Sequence, residues 1–380
     1  MRFWPMRRRP TSATPPPDDL ILIGDILRRN VDDVLAVYDN GEKNGVFLFR
    51  GQLATTPARA LEILRDRFRR FGYTPYLRRD GAAVLLQAWP GATVEDRSRA
   101  AVNVALFVLT LVSVLWAGTS YVGSPTFDAL RFTPSWVWWF LSGVPFAVTL
   151  LGTLTFHEFG HYFTARYYGV PVSLPYFIPA PMLFGTFGAV IRMRGPATNR
   201  NSLFDIAAAG PLAGLIVALP ALVIGLHWSM VAPATAGMWT TFGDSALTRL
   251  LVTLWFGPIP QGMKLYTHPV FDAAWAGLFV TALNLTPVGQ LDGGRIVYAI
   301  FGRAHRAIGM AAFGGLLALG AVTWSPNWVV WAVFLLLFVG FHHGPPLDDL
   351  TPLTRGRRAV GLACLILFVL LVPPVPIEIG

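Results

Sequence analysis

The 380-residue chain is 54% hydrophobic and only 13% charged, with a formal net charge of +9 and a single cysteine. Soluble chains carry roughly a quarter charged residues, so a wholly soluble enzyme is excluded; the lone Cys364 excludes an intrachain disulfide and a thiolate metal cluster. The positive charge does not point to nucleic acid. It lies beside apolar spans, where it orients a chain against anionic lipid, and no basic patch interleaved with aromatics accompanies it.

Charge is unevenly placed. Of 30 Lys/Arg and 21 Asp/Glu, 17 and 12 precede residue 100, so a soluble front end leads into a membrane-embedded body. Residues 1–17, Arg-rich then Pro-rich, are expected to form a disordered basic tail touching lipid headgroups, without the apolar core of a cleavable signal peptide. Residues 18–90 predict a small α+β cytoplasmic domain. Its strands fall at 34–38, 46–53, 74–77 and 82–88, with turns at Asp39-Asn40-Gly41, Asn44-Gly45 and Arg79-Asp80-Gly81. Pro57 opens an amphipathic helix that runs to about Phe71 and stops at Gly72. This domain holds no catalytic constellation; docking, gating and plain solubility all suit it.

From residue 101 to 380 the chain reads as a transmembrane domain of about seven helices, with its core over about 136–302. A bilayer crossing needs about 20 apolar residues. The spans are 101–122, 136–167, 203–226, 271–301, 308–324, 328–341 and 359–372, while 250–259 is too short to cross and suits a re-entrant or interfacial segment. With the N-terminus in the cytoplasm, inner loops hold Arg166, Arg192, Arg194, Arg200, Arg303, Arg306, Arg355, Arg357 and Arg358, against Arg131, Arg249 and Lys264 outside. That asymmetry obeys the positive-inside rule.

Ionisable groups inside a span are costly and usually functional. The second span contains Phe156-His157-Glu158-Phe159-Gly160-His161. Histidines four apart lie about 40° apart around a helix, so both imidazoles reach one ion, while Glu158 projects about 100° round, where a general base belongs. With no thiolate available, any metal must be held by His and carboxylate, and the fourth span supplies a candidate. Asp292, in the run Asn284-Leu285-Thr286-Pro287-Val288-Gly289-Gln290-Leu291-Asp292-Gly293-Gly294-Arg295, is the only carboxylate between Asp272 and Asp348. Depth agrees: at a helical rise of about 1.5 Å, His157 and His161 lie roughly 14 and 8 Å before Arg166, and Asp292 roughly 17 Å before Arg303. Pro287 and the glycines loosen the local helix, which membranes tolerate where backbone lines a cavity.

His157–His161 together with the Asn-x-x-Pro-x-x-x-Leu-Asp-Gly-Gly run at 284–294, in this order and separation, resembles the site-2 protease family of intramembrane zinc metalloproteases. The likeness covers 150–300, including Gly185-Thr186-Phe187-Gly188 and the small-residue stretch 207–214. The front domain, with Phe49-Arg50-Gly51-Gln52-Leu53, more faintly resembles bacterial relatives of the plastid ethylene-dependent gravitropism-deficient and yellow-green branch, whose Gly-Asn-Leu-Arg-Gly run it does not reproduce. The resemblance implies zinc on His157, His161 and Asp292, Glu158 as base, and Asn284 lining the substrate cleft. A helix-to-helix hydrogen bond is an equally good reading of Asn284. The run 185–193 alternates as a strand at the inner membrane face. As part of a short hairpin, Gly185, Phe187 and Gly188 would receive an unwound substrate segment by strand addition, though an ordinary interfacial hairpin fits the same pattern. Gly210 and Gly214 form a small-x-x-x-small pair suited to helix packing.

The expected activity is hydrolysis of peptide bonds in or near transmembrane segments of membrane proteins, in a bacterial inner membrane. The rivals are a catalytically idle scaffold or chaperone of the same fold, against which the intact Glu158 argues, and an ion-coupled transporter, whose paired broken helices and internal repeat are missing from the sequence.

Overall fold

The computed structural model describes residues 17–91, 100–121, 141–234 and 240–379. The basic tail expected over 1–17, except its last residue, and positions 136–140 of the second expected span lie outside the described residues.

The front end opens with α1 (Pro17–Arg29) and continues into an antiparallel sheet of β1 (Leu35–Lys43), β2 (Val46–Leu53), β3 (Tyr73–Asp80) and β4 (Ala83–Pro90), with α2 (Pro57–Arg69) between β2 and β3. Spatial order is β1-β2-β4-β3. Leu27, Phe49, Leu64, Phe68, Leu77 and Leu86 are fully buried between helices and sheet; each such side chain contributes about 1.5–3 kcal/mol of burial. Sequence patterning missed α1, because Pro17 continues a proline-rich tail while also serving as the first helical residue. It also misplaced one turn. The chain reverses at Asn44-Gly45, whose φ values of 55° and 77° give the two-residue primed turn that matches strand twist. Asp39-Asn40-Gly41 instead continue β1 after an irregularity between Val37 and Asp39.

The body is mostly helical: α3 (Ala100–Thr119), α4 (Val144–Tyr167), α5 (Arg200–His227), α6 (Ala246–Phe256), α7 (Pro269–Leu285), α8 (Asp292–Phe301), α9 (His305–Val322), α10 (Pro326–Phe334) and α11 (Arg355–Leu371). Among the described residues, three helical stretches, Ala100–Thr119, Arg200–His227 and Asp292–Val322, are long and apolar enough to cross a membrane. The expected span 271–301 is not one helix. α7 ends at Leu285 and α8 begins at Asp292; between them lie Pro287, which lacks an N–H, and Gly289 at φ 54°. The short segment near 250–259 is helical as α6.

Among the described residues there are also three small antiparallel pairs: β5 (Tyr176–Pro179) with β6 (Thr186–Val190), β7 (Met230–Pro233) with β9 (Met263–Tyr266), and β8 (Thr240–Phe242) with β10 (Ile377–Ile379). The core gathers Phe146, Leu150, Leu222, Ala273 and Trp275 from α4, α5 and α7. In lipid, helices associate through close packing of small residues. At the α4–α5 crossing a Cβ on Gly160 would stand 2.5 Å from the Ala209 carbonyl oxygen, so larger residues would force the helices apart.

Candidate metal centre

His157, Glu158 and His161 occupy the second half of α4, and Asp292 is the first residue of α8. All four are buried, at 3%, 4%, 4% and 9% exposure. The interruption between α7 and α8 explains how Asp292 gets there. A Cβ on Gly293 would lie 1.9 Å from the Leu285 carbonyl oxygen, so only bare backbone lets the first turn of α8 fold onto the end of α7.

Three donor atoms converge. His161 Nε2 lies 3.2 Å from His157 Nε2 and 3.1 Å from Asp292 Oδ2, and His157 Nε2 lies 3.4 Å from the same oxygen. Ligands of a tetrahedral zinc, bonded at about 2.0–2.2 Å, stand roughly 3.3 Å from one another; the three edges of this triangle match. His, His and carboxylate is also a donor set that zinc accepts, leaving one tetrahedral position open. Among the described residues this is the only such group of three or more His, Cys, Asp or Glu.

The tautomer of His161 follows from its partner. Its Nδ1 lies 2.6 Å from the Ile206 carbonyl oxygen, which can only accept, so Nδ1 carries the proton and Nε2 turns its lone pair toward the other donors. Ile206 lies on α5, and that helix also makes room for the ring. A Cβ on Gly210 would fall 2.1 Å from His161 Nε2, whereas one on Gly214 would meet His157 at an ordinary 3.4 Å. Gly210 is therefore part of the site wall as well as of the helix seam.

The Ile191 backbone N–H, just beyond β6, lies beside the Glu158 carboxylate. Asn284, on the last turn of α7, holds its Nδ2 3.4 Å from His157 Nε2. The hairpin residues separate. Phe187 is 68% exposed on β6, Gly188 adopts φ 97° with its Cα facing Val280 of α7, and Gly185 seats the hairpin tip against α3, where a Cβ would strike Ser113 O at 2.5 Å. Sequence reasoning missed Ile191 and Ile206 as site residues. Both act through backbone atoms, which carry no residue-type signature.

A buried glutamate beside two histidines one turn apart, with an aspartate from a second helix, defines a metallopeptidase-type zinc centre carried on apolar helices. Residues 145–322 match the family model described as Peptidase family M50. It is 29% identical over 375 residues to the "Probable zinc metalloprotease EGY2, chloroplastic" of Oryza sativa subsp. indica, covering 93% of this chain and 66% of that protein. It is 34% identical over 242 residues to the "Probable zinc metalloprotease EGY1, chloroplastic" of Arabidopsis thaliana, covering 61% and 43%. To the "Probable zinc metallopeptidase EGY3, chloroplastic" of Arabidopsis thaliana it is 30% identical over 246 residues, covering 60% and 43%. The chain thus spans 43–66% of the length of these relatives. No solved structure matches it.

Proposed function

We propose that this protein is an intramembrane zinc metalloendopeptidase that hydrolyses peptide bonds in or near the transmembrane segments of other membrane proteins. The observation that carries the reading is the triangle of His157 Nε2, His161 Nε2 and Asp292 Oδ2 with Glu158 buried beside it.

Zinc, when bound, supplies Lewis acidity that acidifies water and polarises a carbonyl. Glu158 is the general base, taking the proton of the attacking water and passing it to the departing amine. With a metal held by His157, His161 and Asp292, the Asn284 amide would turn its N–H groups to the cleft and hold the substrate backbone. Substrate arrives unwound, because a peptide bond inside a helix is shielded by its own hydrogen bonds, and it adds as a strand to β6 beside Phe187 and Gly188. The β6 strand leads directly to Ile191, so a segment paired with it runs past Glu158.

Seven crossings belong to this reading, with the front domain, 18–90, and the arginine-rich loops in the cytoplasm, as the positive-inside distribution of arginine supports. A bacterial inner membrane suits this arrangement. Glu158→Gln, assayed in proteoliposomes against a membrane-spanning peptide, is expected to lose about 10³-fold in rate while keeping one zinc per chain. Full activity in that variant would defeat the mechanism.

A further inference from the structure

The outer edge of β3 does not end the front domain's sheet. Residues 347–349, between α10 and α11, run beside it in parallel: the Leu77 N–H donates to Leu347 O at 2.7 Å, and the Asp349 N–H donates to Leu77 O at 3.0 Å. The Leu347 side chain is buried in the front domain's apolar core. The same strap pairs on its other side with the segment leading into α5, where Leu347 N–H donates to Ala197 O at 2.9 Å and Asp348 N–H to Thr198 O at 2.8 Å. The buried Asp348 carboxylate stiffens it by accepting from the Leu350 and Thr351 amides and the Thr351 hydroxyl.

Asp349 connects this strap to the helices of the metal centre. Its Oδ1 accepts from Arg200 Nε at 2.8 Å and its Oδ2 from the Tyr298 hydroxyl at 3.1 Å. Arg200 opens α5, the helix whose Ile206 carbonyl orients His161 and whose Gly210 admits its ring. Tyr298 lies on α8, under two turns beyond Asp292. At 10 residues, and joined to α7 through an irregular link, α8 depends on such tertiary bonds for its orientation. A second tie runs alongside: Arg303, just past α8, donates to the Arg79 carbonyl on β3 at 3.1 Å.

We propose that the strap 347–349 is a latch through which docking of the front domain sets the geometry of the metal centre, with Asp349 as the positioning residue. The proposal rests on the zinc-site reading above. It turns the front domain from a solubilising appendage into part of the machinery that holds Asp292 against the two histidines.

The test uses the full-length protein in detergent, stripped of metal and reloaded with cobalt(II) or zinc. Ligand-field absorption reports the cobalt coordination, and competition with a chromogenic chelator reports zinc affinity. Asp349→Ala is expected to weaken zinc binding about tenfold, in the range of outer-shell changes, and to shift the cobalt bands. Asp349→Asn keeps an acceptor for Arg200 and a partner for the Tyr298 hydroxyl, and restores both readouts. Leu347→Ala, which loosens docking without touching a membrane helix, shifts them in the same direction. Tyr298→Phe removes one hydroxyl and keeps the test decisive where Asp349→Ala fails to fold. Wild-type spectra and affinities in the alanine and phenylalanine variants overturn the latch. A wild-type chain that takes up no metal overturns the zinc-site reading instead.

Discussion

The helical body and the front domain show opposite relations between sequence and role. In the body, polar residues stand out against apolar spans, and each of His157, Glu158, His161 and Asp292 carries an energetic cost that only a function offsets. In the front domain, charged and apolar residues alternate as in any amphipathic fold. Its architecture follows from the pattern, but its part in the protein appears only in three-dimensional contacts such as those of Leu77 and Asp349. Polar residues therefore announce chemistry where the surroundings forbid them, and say little where the surroundings allow them.

The sharpest way to break this contrast is to act on the metal centre itself. Stripping zinc with a strong chelator is expected to abolish peptide cleavage, with recovery on adding zinc back; cleavage surviving in a preparation shown by elemental analysis to be metal-free would end the zinc reading. Next in size is a substitution that changes no polar atom. Gly210→Ala drives a methyl group into the His161 ring, since the ideal Cβ lies 2.1 Å from Nε2. A loss of about 10–100-fold in zinc affinity is expected, while Gly214→Ala, with a 3.4 Å approach to His157, stays near wild type. Equal affinities in the two variants would show that α5 is only a scaffold for the site.

The fate of individual residues explains what was legible. The His-Glu-x-x-His spacing specifies a helix face, so the α4 half of the centre needed only 3.6-residue periodicity. Asp292 stood out as the only carboxylate between Asp272 and Asp348, and Pro287 with its glycines forecast the loosened helix at 286–291, though not its separation into α7 and α8. Backbone partners were hidden: nothing about isoleucine marks Ile206 as the acceptor for His161 or Ile191 as a neighbour of Glu158. Competing turn signals misled at Asp39-Asn40-Gly41, because Asn44-Gly45 fits the hairpin twist better. The strap was invisible for a different reason. Leu347 and Leu77 are far apart in sequence, and a single added strand of three residues leaves no period to detect.

The exposed strand β6 offers an intermediate test, between the two regions in character. Phe187 is 68% exposed there. If substrate adds along this edge, Phe187→Ala is expected to lower kcat/KM about tenfold, the effect of losing one apolar side chain from a binding cleft, with zinc affinity unchanged. An unchanged kcat/KM would leave the hairpin as an interfacial element and move substrate binding elsewhere.

The smallest expected effect belongs to the front domain and concerns its response to acid. Arg67 grips Asp33 with two hydrogen bonds, Nη1 to Oδ1 at 2.5 Å and Nη2 to Oδ2 at 2.8 Å, tying α2 to the loop before β1. The guanidinium beside it holds the Asp33 carboxyl below the ordinary carboxylate value. A folded-state pKa lowered relative to the unfolded chain contributes stability that is fully present above the unfolded value, near 3.9. That contribution disappears as pH falls through the folded value. The pair is largely solvent-exposed, so water and salt screen it. Acid titration of the full-length protein, followed by hydrogen exchange of front-domain amides, should show protection falling below about pH 4. Asp33→Asn should flatten part of that fall while leaving the metal centre's zinc affinity at neutral pH intact. An identical acid profile in the two proteins would mean that the exposed pair contributes nothing measurable, and that α2 is held by its buried face of Ala60, Leu61, Leu64 and Phe68 and by the bond from Arg67 to the Asn30 carbonyl.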